Sequence, residues 1–170
     1  MGCYAMIGRL SFSFFISIFA VNIQAQTCNR AVERSAEDSR YFIMANGEEI
    51  LDLKTRLVWM RCSLGQSWSG AACTGIANNY SWQAAFQAAK NNGGDWRLPD
   101  IQELQSLVEV ACYSPAINDV IFPGTVSDWY WASTSYSNFG RYARGVGFYD
   151  GWTNGLYKSS KGYVRLVRFE

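Results

Sequence analysis

From Tyr41 onward, apolar and polar positions form short runs whose period changes twice. Tyr41-Phe-Ile-Met44 reads as a strand, and Ile50-Leu-Asp-Leu53 as its return. Asn46-Gly47 between them carries the hairpin signal, because both residues tolerate the backbone of a tight turn. Lys54-Thr-Arg56 turns again and Leu57-Val-Trp-Met-Arg61 runs back, so the segment predicts an antiparallel meander. The period then becomes helical. Trp82, Ala85, Phe86 and Ala89 make one apolar stripe over Ser81–Asn91, with Ser81 as N-cap and Asn91-Asn-Gly-Gly94 as the stop. Asp100 and Glu103 have capping-box spacing at the head of a second helix, Asp100–Val110, whose stripe is Ile101, Leu104, Leu107 and Val108. From Trp129 the pattern is β again, in Trp129–Thr134, Tyr142–Tyr149 and Tyr163–Arg168, with turns at Asn138-Phe-Gly140 and Asp150-Gly151. Strands, two helices and further strands predict an α+β domain.

The N-terminal stretch follows a different rule. Arg9 precedes the apolar run Leu10–Val21, and Ile23-Gln24-Ala25 closes it with a small residue. The run is about a dozen residues, whereas a bilayer span needs roughly 20, and the order of parts is that of a secretory signal peptide. A buried N-terminal helix is the alternative. The expected organisation is a signal peptide over 1–25, a polar arm over 26–40 and a single domain over 41–170. Cys3 precedes the apolar run and so is not the lipid-bearing cysteine of a lipoprotein leader. No later run is long enough to span a membrane, so the expected location is secreted, periplasmic or at the cell surface. The leader carries one of the 15 basic residues and none of the 14 acidic ones. The mature chain is therefore balanced, which argues against bulk capture of nucleic acid.

Cys28, Cys62, Cys73 and Cys112 remain after the leader. An even set in an exported chain reads as two disulfides. Three pairings are possible. Cys62–Cys73 is favoured because the intervening Ser63–Ala72 is a turn-rich loop, and Cys28–Cys112 then follows. Loop entropy gives about 3 kcal/mol for the short closure and about 4.6 kcal/mol for the long one. A four-cysteine zinc site would need two close pairs, and these spacings contain none.

Several motifs occur in a fixed order: Thr55-Arg-Leu-Val-Trp-Met-Arg-Cys62, Cys73-Thr-Gly75, Tyr80-Ser-Trp-Gln83, Asp95-Trp-Arg-Leu-Pro99, Glu103-Leu104, Pro115-Ala-Ile-Asn118 and Tyr163-Val-Arg-Leu-Val-Arg168. Together they resemble the C-terminal domain of bacterial collagen-like adhesins (the Lcl C-terminal domain), from about Tyr41 to Arg168. Trp96-Arg-Leu-Pro99 and Val164-Arg-Leu-Val-Arg168 also resemble formylglycine-generating-enzyme domains. Both resemblances imply a C-type-lectin-like fold, with two helices, a twisted antiparallel sheet and ligand-bearing loops. The chain departs from both families. It has no collagen repeat, and the second cysteine of formylglycine chemistry has no counterpart near the C-terminus.

Histidine is absent. This removes Ser–His and Cys–His nucleophile activation, and disulfides would consume the thiols, so a binding module is expected in preference to an enzyme. Asp95, Asp100, Glu103, Asp128 and Asp150 could in principle supply the paired carboxylates of a glycosidase, but a helix cap explains Asp100 and a turn explains Asp150. Trp96 and Leu98 are expected in the core, Arg97 on loop carbonyls, and Pro99 at the helix entry. No cofactor is expected. Calcium is possible through Asn118, Asp119, Asp128, Asp150 and Asn154, as the lectin-like resemblance implies, although turn chemistry explains the same residues.

The C-terminal part carries the functional expectation. Tyr130, Trp131, Tyr136, Tyr142, Tyr149, Trp152 and Tyr157 crowd it, interleaved with Arg141, Arg144, Lys158 and Lys161. Rings stack on sugar faces, and cations pair with sulfate or carboxylate. Tyr136, Arg141, Arg144, Trp152, Tyr157, Lys158 and Lys161 are the candidate ligand-binding residues, and the loops around Ser135–Arg141 and Asp150–Lys161 are the expected ligand face. The expected partner is an extracellular glycan, with an anionic one as the narrower expectation, or a surface protein. Core filling by alternate aromatics is the competing reading. A structural subunit of a surface assembly, a glycan-acting enzyme and a formylglycine-type oxidase are the alternative functions.

Overall fold

The computed structural model describes residues 25–137 and 139–170. The expected leader, apart from Ala25, lies outside them. In chain order the described residues form β1 (Thr27–Cys28), a 3-10 turn (Asp38–Arg40), β2 (Tyr41–Ile43), β3 (Glu49–Asp52), β4 (Leu57–Met60), β5 (Ser67–Trp68), β6 (Cys73–Thr74), α1 (Trp82–Asn91), α2 (Ile101–Gln105), β7 (Cys112–Tyr113), β8 (Trp129–Ser135), β9 (Tyr142–Gly147), β10 (Thr153–Tyr157) and β11 (Val167–Phe169). The chain is α+β. All strand pairs within the named sheets are antiparallel.

The predicted meander forms as β2-β3-β4, and β11 adds to β4 to complete a four-stranded sheet. Gly47 takes a φ of 73° in the first hairpin, which glycine adopts without steric cost. Tyr41, Ile50, Leu57, Trp59 and Val167 are buried in the larger core cluster, together with Ile101, Leu104, Leu107 and Phe122. Tyr41 meets Phe122 edge to face at 5.4 Å.

The second sheet has the order β10-β9-β8. Its two faces are both covered at Tyr130 and Trp131, which is why these two members of the aromatic-rich segment are fully buried. Tyr130 pairs in register with Val146 and enters the cluster that holds α2. Trp131 pairs with Gly145 and points to the other face, into a smaller cluster with Ala85 and Ala89 of α1, Leu98, Ala143 and Leu166. Competition for the core decided these two rings, as the core-filling reading expected.

Helix capping follows the expectation. Ser81 Oγ accepts from Ala84 N, and the Asp100–Glu103 capping box is complete, with both reciprocal bonds at 2.8 Å. The second helix is shorter than expected. It stops at Gln105 because Leu107 N and Val108 N bond three residues back, to Leu104 and Gln105. Glu109 is then fully buried and accepts from Ser35 N, Ala36 N and Ala111 N at 3.0 Å each. That carboxylate ties the polar arm to the body, and Cys28–Cys112 closes the same junction. Cys62–Cys73 is the second disulfide.

Three further boundaries differ. Tyr163–Leu166 is extended but joins neighbours only through scattered bonds, such as Leu64 N to Val164 O and Met60 N to Leu166 O, so the last strand begins at Val167. The strand expected over Tyr142–Tyr149 ends at Gly147, where a turn begins. The expected loop Asp150–Lys161 contains β10, whose five residues pair with β9 from Thr153↔Val146 to Tyr157↔Tyr142.

Candidate functional site

The β9–β10 hairpin governs where the candidate residues fall. Tyr142 and Tyr157 are register partners at its open end, and the connecting turn lies at the other. Between Trp131 and Ser135 the β8–β9 register shifts. A bulge of this kind re-aims the residues that follow it, and here Tyr136 swings across the hairpin. Its ring lies against the backbone of Gly155. A Cβ on Gly155 would stand 2.7 Å from Tyr136 Cδ2, so only glycine admits the ring there.

An aromatic pocket results at the open end. Tyr136, Phe139, Tyr142, Asn154 and Gly155 line a cavity of about 270 Å³. Phe139 sits 6.1 Å from both Tyr136 and Tyr142, centroid to centroid. Tyr142 packs on Tyr157 at 4.3 Å. Arg144 is half-buried behind the pocket, with its guanidinium 5.2 Å from the Tyr136 ring. On the other side of the Tyr142–Tyr157 pair lies a wider cavity of about 620 Å³, lined by Ser81, Gln83, Arg141, Tyr157, Lys158 and Ser159. Lys158 is held in place there: Nζ donates to Ser135 Oγ at 3.1 Å and stands 4.3 Å from the Trp82 ring. Lys158 N also donates to Arg141 O at 2.8 Å, fixing the two cationic residues side by side.

Electrostatically this end is open. Among the described residues, Arg141, Arg144, Lys158 and Lys161 make no ion pair. Tyr142 is held above the ordinary phenol value, first by its interaction with Tyr157, so it stays a neutral hydroxyl at neutral pH. The arrangement offers ring faces, hydroxyls and two side-chain amides, Asn154 and Gln83, beside cations that have no carboxylate partner among the described residues.

The structure thus brings Tyr136, Arg141, Arg144, Tyr157 and Lys158 together. Lys161 is exposed in the turn that follows, just before Gly162, whose backbone pairs with Tyr80. Trp152 is elsewhere. It lies in the closed turn of the hairpin, five residues from Tyr157, or about 17 Å along an extended strand. The sequence reading places Phe139, Asn154 and Gly155 inside its two ligand loops but names neither Phe139 nor Gly155 as a site residue, and names Asn154 only for calcium; the Asn-Gly pair and the aromatic of Asn138-Phe-Gly140 are the available signals.

The other candidate residues have structural partners. Arg97 forms a bidentate pair with Glu103 at 2.7 Å, which also serves the capping box, and donates to only one carbonyl, Leu98 O. The Leu98 bond fits the expectation of loop carbonyls, and the box carboxylate is an additional, stronger, charged acceptor. Leu98 is buried and Trp96 packs against the smaller cluster. Asn118 is fully buried; its amide donates to Ala36 O and Asp38, and its oxygen accepts from Val120 N and Ile121 N. Asp128, Asp150 and Asn154 each accept from a nearby backbone N–H. Among the described residues, no three His, Cys, Asp or Glu side chains gather in a way that could hold a metal ion, and no helix is long and apolar enough to cross a membrane.

Two disulfides are consistent with an extracytoplasmic location. No curated protein matches the chain. The model of the Lcl C-terminal domain family matches residues 48–168, a span that contains β3, β4, both helices and the whole β8–β9–β10 sheet, and the chain belongs to that family.

Proposed function

We propose that the chain is an extracytoplasmic binding module that recognises an extracellular glycan, and that the open end of the β8–β9–β10 sheet is its ligand face. The observation that carries this reading is the pairing of two cavities across one wall. The Tyr136–Phe139–Tyr142 pocket suits the apolar face of one sugar ring, while Arg141 and Lys158 beyond the Tyr142–Tyr157 pair suit a sulfate or carboxylate on the next. Rigid rings held by strand pairing lose little entropy on binding. Two helices, antiparallel sheets and an N-terminal arm pinned by a disulfide support a C-type-lectin-like relationship. The absence of histidine, the pairing of the four cysteines of the mature chain in disulfides, and the consumption of Asp100 and Glu103 in a helix cap support binding over catalysis.

The test is a glycan array probed with the purified chain at low and high salt. Binding to anionic glycans that weakens as salt rises is the expected result. An array blank at every salt concentration overturns the glycan reading, and turnover of a bound glycan overturns the non-enzymatic one.

A further inference from the structure

The closed end of the same hairpin has the opposite chemistry. Trp152 is 72% exposed there, and an ordered turn holds it out. Gly151 N donates to Gly147 O at 2.7 Å, Gly147 N to Trp152 O at 2.8 Å, and Trp152 N to Asp150 Oδ1 at 3.1 Å. Gly151 has a φ of 83°, and a Cβ there would stand 2.6 Å from Val108 Cγ1, so the turn is seated directly on the segment that follows α2. Tyr149 lies over Gly147 and meets Trp129 edge to face at 5.5 Å. Tyr113, also exposed, is brought alongside by the bond from Ser114 N to Tyr149 O. Asp128 and Asp150 both flank Tyr149, and both hold its phenol above the ordinary value after burial. Neither carboxylate makes an ion pair among the described residues. A groove that takes in Gly151, Val108 and Val110 also carries two cations, Lys54 and Arg40, of which Arg40 is already paired with Asp52.

We infer that this end is a second binding surface, for a cationic peptide segment of a protein partner. Its exposed rings would take Lys or Arg side chains over their faces while Asp128 and Asp150 pair with the charge. Charge complementarity selects the occupant. Aromatic faces attract cations through their quadrupole, and the adjacent carboxylates add ordinary attraction and would repel an anionic ligand. An anionic glycan is therefore directed to the open end and away from this one. The turn is already fixed in the exposed geometry, so ordering it costs little on binding. The module would then join a glycan at one end of its hairpin to a basic protein segment at the other.

The experiment uses the whole mature chain, labelled at the tryptophan indole nitrogens, and follows their N–H resonances while tetra-arginine or tetra-glutamate is added. The Trp152 signal is assigned from Trp152→Phe. Tetra-arginine should shift the Trp152 and Trp129 signals at low salt and leave Trp82, beside Lys158, unmoved. Tetra-glutamate should not shift Trp152. The double variant Asp128→Asn, Asp150→Asn should lower the peptide affinity about tenfold while retaining array binding by the open end. No shift at Trp152, an equal shift with both peptides, or an unchanged affinity in the folded double variant would each overturn the second surface without touching the glycan reading. An array blank with Trp152 still responding would do the reverse.

Discussion

The two larger sheets handle charge in opposite ways. Around the four-stranded sheet, four ion pairs are closed within the fold, while Lys54 and Glu48 stay without one among the described residues. Arg40 grips the buried Asp52 and also donates to Ser106 O at 2.7 Å, Arg168 meets Glu49 at 2.6 Å, Arg97 meets Glu103, and Arg56 meets Glu170. Arg165 has no carboxylate but is enclosed by the carbonyls of Met60 and Arg61, Thr125 Oγ1 at 2.7 Å and the Phe122 ring, and burial lowers its value to about 10. Around the three-stranded sheet, Arg141, Arg144, Lys158 and Lys161 cluster at or beside one end and Asp128 and Asp150 at the other, all without ion pairs among the described residues. Charges satisfied inside the fold hold it together, whereas charges left to solvent at opposite ends of a hairpin remain available to partners.

The paired charges should therefore control stability. Glu109→Ala removes a buried carboxylate that three backbone N–H groups share. Leaving those donors unmet should cost about 3–5 kcal/mol in chemical denaturation, while binding by the remaining folded chain stays unchanged. A loss below about 1 kcal/mol would mean that water replaces the carboxylate and that the arm is not tied down as described.

Acid should separate the two regions next. Asp52, Glu103 and Glu109 are all held below their ordinary values, although burial alone would raise Asp52 and Glu109. For Asp52 the bonds from Arg40 and Thr55 win, for Glu103 the Arg97 bond, and for Glu109 its backbone donors. A depressed carboxylate releases its proton more readily when folded. Its contribution to stability is therefore full above the unfolded value, near pH 4, and is lost as pH falls through the folded one. Thermal stability should hold from about pH 7 to pH 5 and drop below about pH 4. Glycan binding by the folded chain should change little over the same interval, from about pH 7 to pH 5. A stability optimum near pH 4 would contradict the assignment.

Smaller changes sharpen the open end. Gly155→Ala should displace the Tyr136 ring and weaken glycan binding about tenfold, or about 1.4 kcal/mol, with a melting shift of only a few degrees. Isothermal titration beside a melting curve distinguishes this from general unfolding. Asn154→Ala, which removes one exposed amide, should cost less, on the order of 1 kcal/mol in the same titration.

Much of the fold was legible because local signals agreed with it. Ser81 and Asp100 cap where their spacing placed them, the Asn46-Gly47 hairpin joins β2 to β3, and the turn-rich Ser63–Ala72 loop closes through Cys62–Cys73. β10 was missed because Thr153-Asn-Gly-Leu-Tyr157 carries an Asn-Gly turn signal at its centre, which pairing with β9 overrides. The length of the second helix was obscured because Leu107 and Val108 keep the apolar stripe going after the helical hydrogen bonds have stopped. Arg165 lies in an alternating stretch, and nothing in one dimension reveals the carbonyls that enclose it. Trp152 was grouped with Tyr157 because they are close in sequence, yet a hairpin sends such neighbours to opposite ends.

The central claim is that unpaired charges serve binding and paired charges serve the fold. It is tested most directly by measuring glycan affinity and melting temperature side by side for two double variants, Arg141→Ala with Lys158→Ala, and Arg97→Ala with Glu103→Ala. The account predicts a crossed outcome. The first variant should lose most of its low-salt affinity and melt within a degree or two of the parent, on the order expected for exposed surface changes. The second should melt several degrees lower and bind normally when folded. Unchanged affinity in the first variant, or equal affinity losses in both, would contradict it.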